Sequence, residues 1–168
     1  MISSEYNIFS PKYFDMNPKE KFFLEEYIPL LKKLSGDEKP LWGKLSPQGM
    51  IEHMTDSIGI GWKRIEYPLH TSPEHLPKMK AFLLSEKPFR ENTPNPYMPD
   101  TPPPLRNKNI SDAIAELENE IQNFIQFHKQ HSDIIVQNPF FGDLNYEEWL
   151  QLLYKHALHH LKQFGVIK

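Results

Sequence analysis

The residues of this chain best suited to chemistry lie near its C-terminus, in the run Tyr154-Lys155-His156-Ala157-Leu158-His159-His160-Leu161-Lys162-Gln163-Phe164-Gly165. His156 and His160 are four residues apart, so on a helix their side chains stand one above the other on one face. That is the spacing at which a single helix offers two imidazoles to one metal ion. Two ligands do not make a site, so at least one more must come from elsewhere. The sequence holds no cysteine, which removes disulfides, thiolate zinc sites and cysteine nucleophiles. Nitrogen and oxygen donors are left for any metal.

Positions 149, 153, 156, 160 and 164 form one stripe of that helix: Trp149, Leu153, His156, His160 and Phe164. Two imidazoles thus interrupt an otherwise apolar face. Each buried ring nitrogen needs a partner, which a carbonyl, a carboxylate or a metal can supply. His53 is the candidate third ligand. It falls on the inward stripe of an earlier helix with Met50, Met54, Ser57 and Gly61, where Asp56 is the one carboxylate that could share its face. One histidine from that helix and two from the last would hold an ion from one side. The remaining positions stay open to water or substrate, as in catalytic rather than structural sites. The plainer alternative is that His53 makes a core hydrogen bond.

The neighbouring polar residues carry less weight. His159 lies on the stripe Leu152, Lys155, His159, at the edge of the buried face. It could act as a base behind the ligands, but a surface histidine facing solvent is the simpler expectation. Gln163 could orient a water or substrate, fix a ligand ring, or cap a carbonyl at the helix end. His128 continues the apolar face of another helix and remains an alternative ligand, while with His131 it also suits the dipole at that helix's C-terminus. His70 and His75 have no ligand spacing. Trp42, Trp62 and Trp149 are expected in the core or in a pocket wall.

These side chains must be positioned by helices. Asn17-Pro18 opens the first, with Phe22, Phe23, Tyr27, Ile28, Leu30, Leu31 and Leu34 at helical spacing and Gly36 at its end. Ser46-Pro47 opens the second, expected to run to about Glu66, before Pro68. Ser111-Asp112 starts the third, whose face is Ile114, Leu117, Ile121, Phe124, Ile125 and His128. The segment Asn138 to Leu144 reads as a loop. Asn145 caps the last helix, with Glu148 as capping-box partner and Gly165 as the stop. Between the second and third helices lies a stretch, residues 68–104, that holds most of the sixteen prolines and cannot be helix interior or central strand. A short helix is expected within it from about Leu76 to Ser85. Phe82, Phe89, Tyr97 and Met98 give the rest apolar groups with which to dock. The expected fold is all-α: a four-helix bundle with a long proline-rich crossover between the second and third helices, in a single domain over residues 1–168.

Composition limits the partners. A net charge of -3 makes nucleic acid an unexpected partner. Residues Met1 to Asp15 lack the apolar core of a signal peptide, and no stretch approaches the roughly 18 apolar residues of a membrane span. A cytoplasmic protein with no membrane partner is the expectation.

Taken in order, the motifs resemble those of the DinB-like superfamily of metalloenzymes, and most closely an uncharacterised branch of it. They are Trp42-Gly43, then Ser46-Pro47-Gln48-Gly49-Met50-Ile51-Glu52-His53, then Pro139-Phe140-Phe141-Gly142-Asp143-Leu144, and His156-x-x-x-His160-x-x-Gln163-Phe164. The resemblance runs from about residue 17 to the end. It implies one divalent metal ion, nickel or zinc, held by His53, His156 and His160. The wider superfamily often reads His-Arg-Gly-Gln where this chain has His160-Leu161-Lys162-Gln163, so roles attached to that Arg-Gly pair do not carry over. Family analogy offers two reactions on a small-molecule substrate, hydrolysis of an amide-like bond and transfer of a thiol to an electrophile. No carboxylate is placed well enough by sequence to be the general base. The substrate-determining residues are expected in the crossover and at Trp62, Tyr97 or Phe141. A homodimer through helix faces is compatible with the resemblance, with the N-terminal segment and the crossover as available surfaces. The competing readings are a non-catalytic bundle that binds a metal or small molecule, and a structural bundle whose histidines are core residues. Because imidazole must be neutral to ligate, metal affinity is expected to fall as pH drops through about 6.5.

Overall fold

The computed structural model describes residues 16–168. Met1 to Asp15, read above for the absence of a leader and as a surface for dimerisation, lies outside them. The described residues are mostly helical, with one small antiparallel pair of strands.

Asn17 opens the first helical stretch, its side chain accepting from the Lys19 N–H at 2.8 Å, with Pro18 in the first turn. The stretch consists of α1 (Pro18–Lys21), a wide π turn (Phe22–Glu26) and α2 (Tyr27–Leu31). Pro29 lies inside it. Proline has no N–H to give the carbonyl four residues back, and its ring crowds that carbonyl. The wide turn relieves the crowding, with the Tyr27 N–H reaching back to Phe22. Phe22, Phe23, Tyr27, Ile28, Leu31 and Leu34 are buried as the spacing predicts, and Gly36, at φ +103°, follows the end of the stretch.

Helix α3 (Pro47–Ile60) starts as expected, the Ser46 hydroxyl accepting from the Gly49 N–H at 3.1 Å. It ends at Ile60 rather than near Glu66. Lys63 takes φ +65°, and the Arg64 and Ile65 N–H groups both turn back to the Gly59 carbonyl, at 2.9 and 3.2 Å. The Arg64 guanidinium fixes this turn by donating to Glu120 and to the Thr55 carbonyl. The expected end rested on Pro68, but a long-range ion pair stops the helix earlier.

Helix α5 (Ile110–Gln130) is capped by Asn109, whose side chain accepts from the Asp112 N–H at 2.9 Å. Ser111, the expected start, is already inside it. Helix α6 (Tyr146–Gln163) carries the expected capping box, both Asn145–Glu148 hydrogen bonds being 3.0 Å. Gly165, at φ +67°, ends it by letting the Val166 N–H return to the Leu161 carbonyl at 2.8 Å. Asn138 to Leu144 is not a plain loop. It belongs to a hairpin of β1 (Val136–Asn138) and β2 (Gly142–Leu144), paired Val136↔Leu144 and Asn138↔Gly142. Strands of three residues are too short to show alternation in sequence. Asn138 holds the turn, its side chain accepting from the Phe140 and Phe141 N–H groups.

α3 packs along α5, and α6 lies against α1, α2, α3 and α4 (Leu76–Leu84). Met50, Met54 and Ile58 from α3 meet Leu117, Ile121 and Phe124 from α5 and Trp149, Leu153 and Leu161 from α6 in the core. The crossover, residues 61–109, is docked rather than loose. It contains a single 3-10 turn (Pro73–His75) and α4 (Leu76–Leu84). At its start, the His70 N–H donates to the Pro139 carbonyl at 2.7 Å. In the middle, the Lys155 ammonium from α6 caps the end of α4, donating to the carbonyls of Phe82, Leu83 and Ser85 at 2.8, 3.3 and 2.9 Å. At its return, the buried Glu52 carboxylate of α3 accepts from the backbone N–H groups of Arg106 and Asn107 at 3.0 and 2.9 Å. Burial pushes this carboxyl up, but those donors together with Gln48 and the Asn107 side chain hold it below the usual range.

Gly61 sits where α3 gives way to the crossover. A Cβ there would lie 2.9 Å from the Phe124 ring and 3.1 Å from Trp149. Gly61→Ala therefore overfills a closed core and should lower stability by about 1–3 kcal/mol. A urea-unfolding midpoint equal to that of the unsubstituted protein would contradict this packing.

Candidate metal centre

Two helices build the centre. On α3, His53 follows the buried Met50 and precedes the buried Met54, so core packing on either side fixes its direction. On α6, His156 and His160 extend the stripe of Trp149 and Leu153, both buried. The predicted stripe is therefore the observed inward face, and it brings all three rings together. Their Nε2 atoms converge: His53 to His156 is 3.1 Å and His160 to His156 is 2.9 Å. One ligand atom from each of the three lies within 4.8 Å of the others.

This arrangement fits a divalent cation on chemical grounds. Nitrogens bound to one ion at 2.0–2.1 Å stand about 3 Å apart, close to the separations found here. Gln163 decides the state of one ring. Its Oε1 accepts from the His160 Nδ1–H at 2.7 Å, which leaves His160 Nε2 with a lone pair pointing inward. If His156 Nε2 carries a proton it can give it to only one of its two neighbours, whereas a cation satisfies all three nitrogens at once. Charge at the site agrees. Burial, and then the neighbouring imidazoles, push His156 and His160 well below the ordinary histidine range. Burial pushes His53 down to about 4, with Asp56 partly opposing it. The three rings are thus neutral at pH 7 and present lone pairs without first losing protons.

The residues around the ligands divide sharply. Gln163 is buried, and of the three roles open to it from sequence it takes that of orienting a ligand ring. Its Nε2 also donates to the Trp42 carbonyl at 2.7 Å. Gly43 makes this approach possible: at φ +78°, a Cβ there would stand 2.8 Å from Gln163 Nε2. Asp56 is not brought among the ligands. It is held by Arg106 at 3.0 Å and by Arg64 at 3.5 Å, and reaches His53 only through its charge. His159 is not the solvent-facing residue expected from its stripe. It is half-buried, its Nε2 accepts from the Trp42 indole N–H at 3.4 Å, and its ring packs 5.3 Å from His160. The spacing along α6 carries no information about the two loops that cover this edge of it.

His128 is removed from the candidate ligands. It is buried far along α5, donates from Nε2 to the Gly61 carbonyl at 2.8 Å and stacks on Tyr146. Of the three residues expected to shape the mouth, Trp62 donates to Glu120 and Tyr97 to the Pro68 carbonyl, both away from the ligands. Phe141 is closer, its ring 6.3 Å from that of Phe89. Phe89 itself, seen in the sequence only as an apolar group for docking, is the crossover residue that reaches the centre. Its ring lies 6.1 Å from that of His156. The signal for it was its place between two charged flanks in a proline-rich stretch, which marks an anchor without saying where it lands.

The direction of the histidine shifts gives a stability prediction for the metal-free protein. His53 binds a proton at about pH 6.5 when unfolded but only near pH 4 when folded, so the unfolded state holds more protons between these values. Stability is then full above pH 6.5 and falls as pH drops, by about 2 kcal/mol between pH 6.5 and 5 from His53 alone. His53→Gln cannot titrate and should lose less over the same interval. Equal losses in urea unfolding of the two proteins would refute a neutral His53 in the folded protein. The same shift moves proton competition with metal below the 6.5 expected from sequence.

A family model described as Protein of unknown function (DUF1569) matches residues 72–166, more than half of the 168-residue chain. The matched span includes α4, α5, the hairpin and α6, and hence His156, His159, His160 and Gln163, while His53 lies before it. Comparison with the curated proteins and with the solved structures finds no match. Among the described residues, no helix is long and apolar enough to cross a membrane. By the extent of the family match, the chain belongs to the family described as Protein of unknown function (DUF1569).

Proposed function

We propose that the protein is a DinB-like four-helix bundle that holds one divalent metal ion, nickel or zinc, on His53, His156 and His160, and that it is a metal-dependent enzyme acting on a small molecule. The observation that carries the metal reading is the convergence of three neutral imidazole nitrogens from two helices, at 3.1 and 2.9 Å. Imidazole donors without thiolate suit zinc and nickel. The bundle reading is supported by the helix order, with α1 and α2 as one interrupted helix, and by the long connection between α3 and α5.

When bound, such an ion polarises a carbonyl or lowers the pKa of a water or thiol, which serves either hydrolysis or thiol transfer. The chain's own contributions are separable from that chemistry. Gln163 fixes the His160 ring so that Nε2 faces the ion. Met50 and Met54 hold His53 in place from either side. Phe89 and Trp42 stand close to His156 and His159 and restrict access of water to the centre. Three protein ligands, with no carboxylate among them, leave room for substrate.

Protein purified without a histidine tag and supplemented with nickel or zinc should carry one ion per chain by elemental analysis. Competition with a chelator should show His53→Ala to bind more than about 100-fold more weakly and Gln163→Leu about 10–100-fold more weakly. A chain that takes up no metal, or His53→Ala binding as well as the unsubstituted protein, would rule this centre out.

A further inference from the structure

His159 is the one histidine of the terminal trio that ligates nothing, yet its ring is placed with care. It touches two segments that do not touch α6 for packing alone. The Trp42 indole N–H, from the connection before α3, donates to His159 Nε2 at 3.4 Å, and the two rings are 5.3 Å apart. From the crossover, Phe89 places its ring 6.3 Å from His159 and 6.1 Å from His156. With Nε2 taken by the Trp42 indole and its ring packed between Trp42 and Phe89, His159 bridges the two segments and its Nε2 lone pair is not free for a reacting proton.

The two bridged segments are the ones that border the ligands. Trp42 is fixed by its carbonyl to Gln163, and Gln163 to His160. Phe89 is fixed on its other sides by Phe82 at 5.8 Å and by the Lys155 ammonium at 5.7 Å. Lys155 in turn is spent on the end of α4. Each segment is thus anchored separately to α6, and His159 is the element that spans the interval between them. Resting on the metal reading above, we infer that His159 is a positioning residue that sets the width of the opening over the metal by tying Trp42 to Phe89, and so selects which small ligands reach the ion by their size.

The test uses the full chain loaded with cobalt(II), whose visible spectrum reports the binding of added ligands, with azide as the slender probe and imidazole as the broad one. His159→Phe should keep one cobalt per chain, with an affinity within about threefold of the unsubstituted protein. It should bind imidazole at least about tenfold better relative to azide, because the two walls are no longer tied. His159→Gln, whose amide can still accept from the Trp42 indole N–H, should return that ratio to within about threefold. Trp42→Phe removes the other half of the bridge and should reproduce the shift, which keeps the inference testable if His159→Phe does not fold. An unchanged imidazole-to-azide ratio in both His159→Phe and Trp42→Phe overturns the inference while leaving the metal reading intact. So does a shift that His159→Gln fails to reverse. A loss of cobalt affinity in His159→Phe as large as in His53→Ala makes His159 a ligand instead and overturns it as well. An unsubstituted chain that takes up no cobalt overturns the metal reading, and the inference with it.

Discussion

Three imidazole nitrogens held within 4.8 Å of one another, with that of His156 about 3 Å from each of the other two, cannot all be protonated, and without a shared partner they repel one another. The helices carry this constraint. α3 and α6 must be brought close enough for His53 to meet His156 and His160, and that distance is set by apolar packing on both sides of each ring. Met50 and Met54 bracket the single ligand of α3, while Trp149 and Leu153 precede the pair on α6, all of them buried. The centre therefore takes its geometry from the core rather than from a flexible loop, as preorganised sites do.

The second constraint comes from the crossover. A proline-rich stretch offers few backbone donors and cannot hold itself together through regular hydrogen bonding. Here its conformation is imposed from outside. Lys155 and Gln151 of α6 take the free carbonyls at the end of α4, and Glu52 of α3 takes the N–H groups of the returning strand. Lys155 and Glu52 are immediate neighbours of the ligands His156 and His53 in sequence. The helix turns that present the ligands thus also fix the segment that covers them, and Phe89 lands beside His156 as a result.

Much of this was legible in the sequence because it depends on local rules. The caps at Asn17, Ser46 and Asn145, the stop at Gly165, and the inward stripe of α6 follow from spacing and residue type, and each is found. The convergence of the three histidines was legible for the same reason, since periodicity places a residue on a face and the packing of helices joins such faces. What escaped depends on long-range contacts. The early end of α3 is imposed by Arg64 reaching Glu120, more than fifty residues away in sequence. The hairpin at residues 136–144 has strands too short to show a period. The burial of His159 and the role of Phe89 both come from loops folding over α6, and nothing in the pattern of either helix announces them.

Gly43 shows how far the centre extends. Its positive φ and lack of a side chain let the Trp42 carbonyl meet Gln163, while the Leu41 N–H reaches the Gln163 carbonyl at 2.8 Å. A few residues of an outwardly ordinary connection are thereby joined to both the side chain and the backbone of Gln163, the residue that steers His160. The connection cannot fray without turning that ring loose, and a ring held firmly by a bound ion must in return keep the connection in place. The linker between the first two helices is thus coupled to the histidine cluster, although it donates no atom to it.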